Sequence, residues 1–252
     1  KKDDEVILTG CRVGEIYFGG YSQYAKVNKE FLIKKPNNFS NREAMILGTA
    51  GFTSLLCAFA VKAREEILLG EKVNDVLVTG STGGVGSVAI MILSKMGCNV
   101  TAVTGKMDQS EYLKELGANN IIDRKELENE PRPLGKGLWD GVVDTVGGKI
   151  LANAISNTKH SGIVATCGNA ADNKLNTSVI PFILRGVKLW GIDSVMISKK
   201  RREFIWSQVV NLIDFSILDK KIKEITLEEL ITEYPKMLEG KIAGRLIVNP
   251  NK

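Results

Sequence analysis

The sequence has few of the residues that most often build metal sites and disulfide frameworks. Its 252 residues include one histidine and four cysteines, which lie far apart at positions 11, 57, 98 and 167. No two cysteines form a C-x-x-C pair, and His160 has no potential ligand near it in the sequence. Because such sites depend on clustered ligands at short spacings, we predict neither a metal ion nor a disulfide. His160 is predicted to be a surface residue before a turn at Ser161 and Gly162.

Aromatic residues and net charge are also scarce. Aromatics make up 6% of the chain, and 34 basic against 29 acidic residues leave a net charge of +5. The one basic cluster is at residues 199–202. Since nucleic-acid binding requires a focused basic face with stacking aromatics, we predict no nucleic-acid partner. We find no apolar run of membrane-spanning length and no secretory signal, so we predict no membrane association and a cytoplasmic location.

The most informative segment is a glycine-rich turn between a β-rich run and a helix-like pattern. Residues 76–86 read VLVTGSTGGVG, and apolar residues of helical period follow as far as Met96. Strand, glycine turn and helix bring backbone N–H groups and the positive end of the helix dipole to an anion. Ser81 holds the first glycine position of G-x-G-x-x-G, so an ordinary glycine-packed turn is the alternative. A second β-rich run at residues 99–104 completes a βαβ unit and favours a dinucleotide site.

The residues after this second run indicate which dinucleotide binds. An NAD site typically has Asp or Glu there to bind the ribose hydroxyl. This chain has Thr104, Gly105 and Lys106, and Asp108 comes two positions too late. A hydroxyl, an N–H and an ammonium suit a 2′-phosphate, and Arg124, after a third β-rich run, is placed to reach it. The pattern predicts NADP(H) rather than NAD(H), with ordinary surface charge as the alternative for the two cations.

The middle of the chain alternates strand-like and helix-like segments. The strand-like runs lie near residues 76–79, 99–104, 120–122, 141–144, 162–167 and 187–192. Helix-like stretches such as 111–116 and 151–157 separate them. Apolar β-rich runs that alternate with helices predict an α/β fold with a Rossmann-type, doubly wound, six-stranded parallel sheet.

Both ends of the chain are β-rich and predict a second lobe. Two β-like runs, at residues 6–9 and 24–27, are separated by Gly19 and Gly20, and a closing run at residues 244–248 follows a helix-like segment at residues 227–238. We predict a cofactor domain at residues 46–196. The second lobe is predicted to combine residues 1–45 and 197–252.

Several segments resemble the medium-chain dehydrogenase/reductase superfamily. Residues 19–25 (GGYSQYA) resemble a strand of its GroES-like lobe, residues 47–53 (LGTAGFT) the helix that opens its cofactor domain, and the glycine turn its quinone-oxidoreductase branch. Three further segments, WDGVVDTVG, PFILR and GIDSVM, resemble the NADPH-dependent acrylyl-CoA reductase subgroup. The resemblance covers about residues 5–248. Members of the family begin with several dozen further residues, so we expect the GroES-like lobe to be incomplete here.

The resemblance implies NADPH-dependent reduction of the C=C bond of a short α,β-unsaturated acyl-CoA, without zinc. Hydride adds to the β-carbon and a proton to the α-carbon, but no side chain is an obvious proton donor, so the catalytic residues stay unassigned. The implied cofactor residues are Thr82, Gly83, Gly84 and Val85 for the pyrophosphate, Thr104, Gly105, Lys106 and Arg124 for the 2′-phosphate, and Asn169 and Ile183 for the nicotinamide side. Lys106 stands where the subgroup often has arginine.

Other implications of the resemblance leave alternatives open. Asp193, Ser194 and Met196 are expected to line the substrate pocket or to form a packing turn. Arg201 and Arg202 are expected to be a solvated helix start, with contacts to coenzyme A phosphates as the alternative. Asp144 ends the fourth strand, where it could be mistaken for a catalytic acid, and a structural cap before Gly147 and Gly148 is at least as good an interpretation.

The resemblance also implies a homodimer joined through the sixth strand, near residues 188–192. The alternative activities are a quinone or small-enone reductase on the same fold and, in another class, an NADP(H)-binding protein without catalysis. The last alternative follows from the expectation that the amino-terminal part of the GroES-like lobe is missing.

Overall fold

The structure is a computed structural model that describes the backbone of residues 1–252 and every side chain except that of Val210. The strands are β1 Val6–Ile7, β2 Ile33–Lys34, β3 Asp75–Val78, β4 Asn99–Thr104, β5 Asn120–Asp123, β6 Trp139–Asp144, β7 Thr158–Thr166, β8 Lys188–Gly191, β9 Ile222–Ile225 and β10 Arg245–Val248. The helices are α1 Asn41–Ile67, α2 Gly84–Lys95, α3 Ser110–Glu115, α4 Gly148–Ser156, α5 Ile180–Arg185, α6 Lys199–Val209, α7 Phe215–Asp219 and α8 Leu227–Leu238.

The chain divides into two compact units. One combines residues 1–52 and 193–252, and the other is continuous from residue 53 to residue 192. The division expected from the sequence placed the cofactor domain at residues 46–196. Helix α1 crosses the first boundary, and it bends at Gly48, whose φ of +48° lies outside the range of helical backbone.

The continuous unit contains the six-stranded sheet, in the order β5-β4-β3-β6-β7-β8. All of its strand pairs are parallel, so the predicted doubly wound sheet is confirmed. Side chains of the central strands, such as Leu77, Val142 and Val164, form a core with Ile150 and Ile155 of α4. Burial on both faces explains why these strands read as continuous apolar runs.

Strand β7 corrects one expectation. It begins at Thr158, and its register against β6 shifts between the pairs Trp139–Thr158 and Gly141–Ile163. Ser161 has a φ of +56° at this irregularity. The predicted turn at Ser161 and Gly162 is therefore wrong, because these residues absorb a bulge inside a strand. His160 is exposed, as predicted.

The two-part unit contains two small sheets. Strands β1 and β2 pair antiparallel, and β9 pairs in parallel with β10, the predicted closing strand. The predicted strand at residues 24–27 is wrong: the segment is irregular, and Tyr24 is 91% exposed. A strand needs a hydrogen-bonded neighbour, and none pairs with this segment in the described part of the chain.

An aromatic cluster forms the interior of this unit around Trp206 of α6. Phe39 and Phe52 stack on the indole at centroid distances of 6.1 and 6.2 Å. Arg245 of β10 donates to the carbonyl of Leu47 at 2.7 Å, next to the bend at Gly48. Burial lowers the pKa of this guanidinium to about 10.

Helix α1 corrects the expectation that no segment has the length and apolarity of a membrane span. It is 27 residues long and apolar enough to pass that test, and 78% of its most apolar window is buried inside the protein. A Cβ on Gly141 of β6 would lie 2.2 Å from Cγ1 of Val61, so the second half of α1 packs directly on the sheet. The central part of the helix is apolar because it belongs to the core of the protein.

Candidate functional site

The glycine-rich turn lies at the carboxyl end of β3, where the order of the sheet reverses. Strand β3 has β4 on one side and β6 on the other, and open α/β sheets bind ligands at such switch points. Ser81 is buried, its N–H donates to the carbonyl of Val103 at 3.1 Å, and its hydroxyl accepts from the Val103 N–H at 2.9 Å. The serine that breaks the glycine motif therefore fastens the turn to β4.

Helix α2 presents an uncapped N-terminus to this switch point. It begins at Gly84, and no side chain caps it, so its first N–H groups are available to an anion. Gly83 precedes it with φ −82° and ψ 173°, a conformation that any residue adopts. Among the described residues, a Cβ on Gly83 would meet only the carbonyl oxygen of Gly80, at 3.2 Å. Within the protein a Cβ at Gly83 would be crowded by this one atom only, so a glycine here also suits the close approach of a ligand.

Gly86 differs from Gly83 in its surroundings. A Cβ there would lie 2.4 Å from the carbonyl oxygen of Gly80 and 2.8 Å from Cα of Ser81. Both atoms belong to the backbone, which cannot move aside without moving the turn. Gly86 is therefore required by the packing of α2 against the turn.

The residues predicted to bind a 2′-phosphate lie together at the ends of β4 and β5. Thr104 is buried, and its hydroxyl accepts from the N–H of Lys106 at 3.0 Å. Thr104 pairs with Asp123, so Arg124 follows at the same edge of the sheet. A Cβ on Gly105 would lie 2.9 Å from Cδ of Arg124, which shows that the arginine crosses this glycine. Two cations thus lie at one corner, although Arg124 also forms an ion pair with Glu128 at 3.2 Å.

On the other side of the turn, Asp144 is fully buried at the end of β6. Its Oδ1 accepts from the hydroxyl of Thr79 at 2.8 Å. Its Oδ2 accepts from the N–H of Gly147 at 3.0 Å and from the hydroxyl of Thr166 at 3.1 Å. Burial raises the pKa of Asp144, and these hydrogen bonds partly oppose that rise. Asp144 contacts the backbone N–H of Gly147, the residue before α4, but no N–H group of the helix itself, and both of its oxygens are already engaged.

The residues predicted for the nicotinamide side differ in placement. Asn169 is exposed in the loop after β7, where its Cα would lie 3.5 Å from a Cβ on Gly147. The loop thus lies against the turn that follows β6. Ile183 lies on α5 with 69% of the residue exposed and takes no part in the polar contacts around the turn. The roles of both residues stay predictions.

The segment predicted to line the substrate pocket lies in the two-part unit. Oδ1 of Asp193 accepts from the N–H groups of Val195 and Met196, at 2.7 and 3.1 Å. Such a turn is a common local structure for aspartate. One oxygen of the Asp193 carboxylate is therefore engaged by backbone N–H groups of its own turn. Contact of Asp193, Ser194 or Met196 with substrate stays a prediction.

Arg202 corrects the expectation of a solvated basic cluster. It is 2% exposed, and its guanidinium donates to the carbonyl of Thr9 and to the carbonyl of Val195. The same group lies 5.6 Å from the ring centroid of Phe52. Carbonyl acceptors and an aromatic face thus compensate the buried charge, and Arg202 is not available to coenzyme A phosphates. Arg201, the next residue towards the N-terminus, is exposed.

Sequence reasoning missed Thr79 and Thr166 as members of the site. Each is a hydroxyl residue at or directly after the end of a β-rich run, which is the signal that was available. What the sequence does not give is that both hydroxyls converge on one carboxylate. That convergence requires β3, β6 and β7 to be consecutive in the sheet.

Comparisons with known proteins agree with this geometry. The sequence model of the zinc-binding dehydrogenase family matches residues 84–213. The chain is 43% identical over 252 residues to the acrylyl-CoA reductase AcuI of Ruegeria pomeroyi, covering 100% of this chain and 76% of that protein. It is 40% identical over 247 residues to YhfP of Bacillus subtilis, a protein named as a quinone oxidoreductase. That match covers 97% of this chain and 74% of YhfP. The chain thus spans about three quarters of the length of these relatives.

Two solved structures are similar to this chain over nearly its whole length. The yhdH oxidoreductase of Salmonella enterica in complex with NADP has a TM-score of 0.92 at 42% identity, covering 98% of this chain and 75% of that one. YhfP of Bacillus subtilis with bound NAD has a TM-score of 0.91 at 38% identity, covering 99% and 75%.

The family's description includes zinc, but the described residues do not supply a site for it. They contain no group of three His, Cys, Asp or Glu side chains able to hold a metal ion. The sheet, the glycine turn, the family match and the close relatives agree on one assignment. The chain belongs to the medium-chain dehydrogenase/reductase superfamily, in the family described as zinc-binding dehydrogenases, and it is similar in sequence to an acrylyl-CoA reductase and to a quinone oxidoreductase-like member of that superfamily.

Proposed function

We propose that this protein is an NADPH-dependent reductase of the C=C bond of short α,β-unsaturated acyl-CoA thioesters such as acrylyl-CoA. Two observations carry the cofactor part: the corner of Lys106 and Arg124, and the uncapped N-terminus of α2. The name of the Ruegeria pomeroyi relative supports the substrate class.

When bound, NADPH supplies the hydride that adds to the β-carbon, and a proton completes the reduction at the α-carbon. The residues of this chain bind and orient. The N–H groups at the start of α2 hold the pyrophosphate, with Thr82, Gly83, Gly84 and Val85 lining it. Lys106 supplies a point charge to the 2′-phosphate, and Arg124 supplies a planar fork. The chain thereby fixes the nicotinamide against the substrate, which is the main contribution of such a protein to hydride transfer.

A quinone or small-enone reductase is the second candidate, and the name of the Bacillus subtilis relative favours it. Consumption of NADPH is measured with acrylyl-CoA, a quinone and a simple enone under the same conditions. We expect the highest kcat/KM with acrylyl-CoA. Faster turnover of the quinone selects the second candidate, and binding of NADPH without turnover of any acceptor selects a non-catalytic cofactor-binding protein.

The cofactor itself is tested by titration with NADPH and NADH. We expect tighter binding of NADPH, because a 2′-phosphate gains the two cations at the ends of β4 and β5. Equal affinities contradict the proposal, and the NAD-bound structure of YhfP makes this comparison necessary. We further propose that the reaction needs no zinc, so treatment with a chelator leaves the activity unchanged. The cytoplasmic location expected from the sequence stays a prediction.

We also propose a homodimer joined through β8. This strand is at the edge of the sheet, and Leu189 and Trp190 are 38% and 45% exposed on it. Open strand edges with apolar side chains pair readily with a second copy. Sedimentation is expected to give a dimer for the wild type and a monomer for Leu189→Lys. A wild-type monomer at micromolar concentration contradicts the proposal.

A further inference from the structure

Three segments of the candidate cofactor site meet at one buried carboxylate. Asp144 accepts hydrogen bonds from Thr79, which precedes the glycine turn, from Gly147, which precedes α4, and from Thr166, which ends β7. Because Asp144 is fully buried, water does not replace any of these donors.

On the side of Thr79 the contacts continue into the glycine turn. The hydroxyl of Thr79 accepts from the N–H of Thr145 at 3.0 Å, and the carbonyl of Thr79 accepts from the hydroxyl of Thr145 at 3.0 Å. A Cβ on Gly80 would lie 2.1 Å from this Thr145 hydroxyl, so Thr145 covers the first residue of the turn. The position of Thr79 therefore sets the position of the turn.

On the side of Thr166 the contacts continue into the loop that carries Asn169. The N–H of Cys167 donates to the carbonyl of Asp144 at 2.9 Å. A Cβ on Gly168 would lie 2.3 Å from the carbonyl oxygen of Thr145. This loop thus lies directly on the segment that Asp144 begins.

We propose that Asp144 is the positioning residue of the cofactor site, which sets the pyrophosphate side through Thr79 and the nicotinamide side through Thr166. The inference rests on the proposed function only in that NADPH binds here. Asp144 touches neither cofactor nor substrate in this assignment. It fixes the separation between the glycine turn and the loop after β7, which a bound dinucleotide has to span.

The variant Asp144→Asn separates positioning from simple support. Asparagine replaces one acceptor oxygen by an NH₂ donor, so three donors face one oxygen and one nitrogen. We expect the Kd for NADPH to rise about tenfold, which corresponds to about 1.4 kcal/mol of binding free energy, because the two sides of the site are no longer held at a fixed separation. We also expect the fluorescence emission of the bound nicotinamide to change.

Two further variants divide the effect. Thr79→Val removes the hydroxyl on the side of the turn and is expected to raise the Kd without changing the emission of bound NADPH. Thr166→Val is expected to change the emission, and kcat with whichever acceptor is reduced, at an unchanged Kd. Loss of both properties in both variants, or of neither, contradicts the division of roles.

Asp140→Asn is the matched control, because Asp140 is also buried on the same strand, and it accepts from the backbone N–H of Asp75 and from the ammonium of Lys159 at the opposite end of the strand. This variant is expected to lower the melting temperature at an unchanged Kd. If Asp144→Asn only lowers the melting temperature in the same way, the proposal is overturned. The Kd and the emission of bound NADPH are measured without any acceptor, so failure to reduce any acyl-CoA refutes the proposed substrate and leaves this test intact. A wild type that binds no NADPH overturns both.

Discussion

Replacing each of two glycines of the turn by alanine separates ligand binding from folding. In Gly83→Ala the added methyl group meets one protein atom, at 3.2 Å, and the backbone conformation suits alanine. The fold is therefore expected to change in stability by less than about 1 kcal/mol, since the small crowding is offset by the lower entropy of the unfolded chain. In Gly86→Ala the methyl group meets backbone at 2.4 Å, which is expected to cost about 1–3 kcal/mol.

For binding of NADPH, the expected effect of Gly83→Ala is large, although its expected effect on stability is small. With the pyrophosphate placed as we propose, a methyl group on Gly83 would occupy the space through which it approaches the N–H groups of α2, and each hydrogen bond to a charged group contributes about 1.5–3 kcal/mol. Loss of one such bond weakens NADPH binding by at least about tenfold. Gly83→Ala is thus expected to fold like the wild type and to bind NADPH poorly.

Thermal melting with and without NADPH measures both effects. At about 100 times its Kd, a ligand stabilises the folded state by about 2.7 kcal/mol, and 1 kcal/mol shifts Tm by about 2–4 °C for a chain of this size. We expect Gly83→Ala to melt with the wild type in the absence of NADPH and to gain much less from it. Gly86→Ala is expected to melt earlier in its absence. A Gly83→Ala protein that gains as much from NADPH as the wild type refutes the placement of the pyrophosphate.

Three other predictions concern single side chains. Lys106→Glu places a carboxylate at the 2′-phosphate corner, so titration is expected to show at least about tenfold weaker NADPH binding and little change for NADH; equal losses for both contradict the assignment. Burial raises the pKa of Tyr112 to about 12, so the folded state keeps this proton to a higher pH than the unfolded state, and the protein loses stability as the pH rises from about 10 to 12. In Tyr112→Phe the free energy of unfolding is expected to fall less over this pH range, and an identical fall in both proteins contradicts the prediction. A hydrogen bond with Cys167 and burial raise the pKa of Cys57 well above its usual value. Thiol labelling at about pH 8 is therefore expected to modify the half-buried Cys167 long before the buried Cys57. Equal labelling rates contradict this prediction and would show that α1 opens readily.

The sequence predicted the sheet well because each of its strands is recognisable on its own. The run at residues 99–104 became β4 with the same bounds, and the helix-like segment at residues 227–238 became α8. Both have a local cause: β-branched residues favour a buried strand, and Thr226 and Glu229 form a capping box that starts α8. The prediction at residues 24–27 was wrong because a strand also depends on a neighbour, which no local pattern provides.

The candidate site shows the same division. The glycine turn and the Thr104, Gly105 and Lys106 corner were recognisable, since their spacing within one βαβ unit fixes their geometry. The surroundings of Arg202 were not, because a run of four basic residues is typical of a solvated surface. Its burial depends on the carbonyl of Thr9, 193 residues earlier in the chain.

By itself, the sequence determined the alternation of strands and helices, the glycine turn and the positive charge at the Thr104, Gly105 and Lys106 corner, because each is encoded within about thirty residues. Only the tertiary structure decided that Asp144 accepts from Thr79, 65 residues before it, and from Thr166, 22 residues after it. The strand order β3-β6-β7 brings these side chains to one edge of the sheet. The physical reason is that hydrogen bonding between strands, and not distance along the chain, sets which strand ends are neighbours.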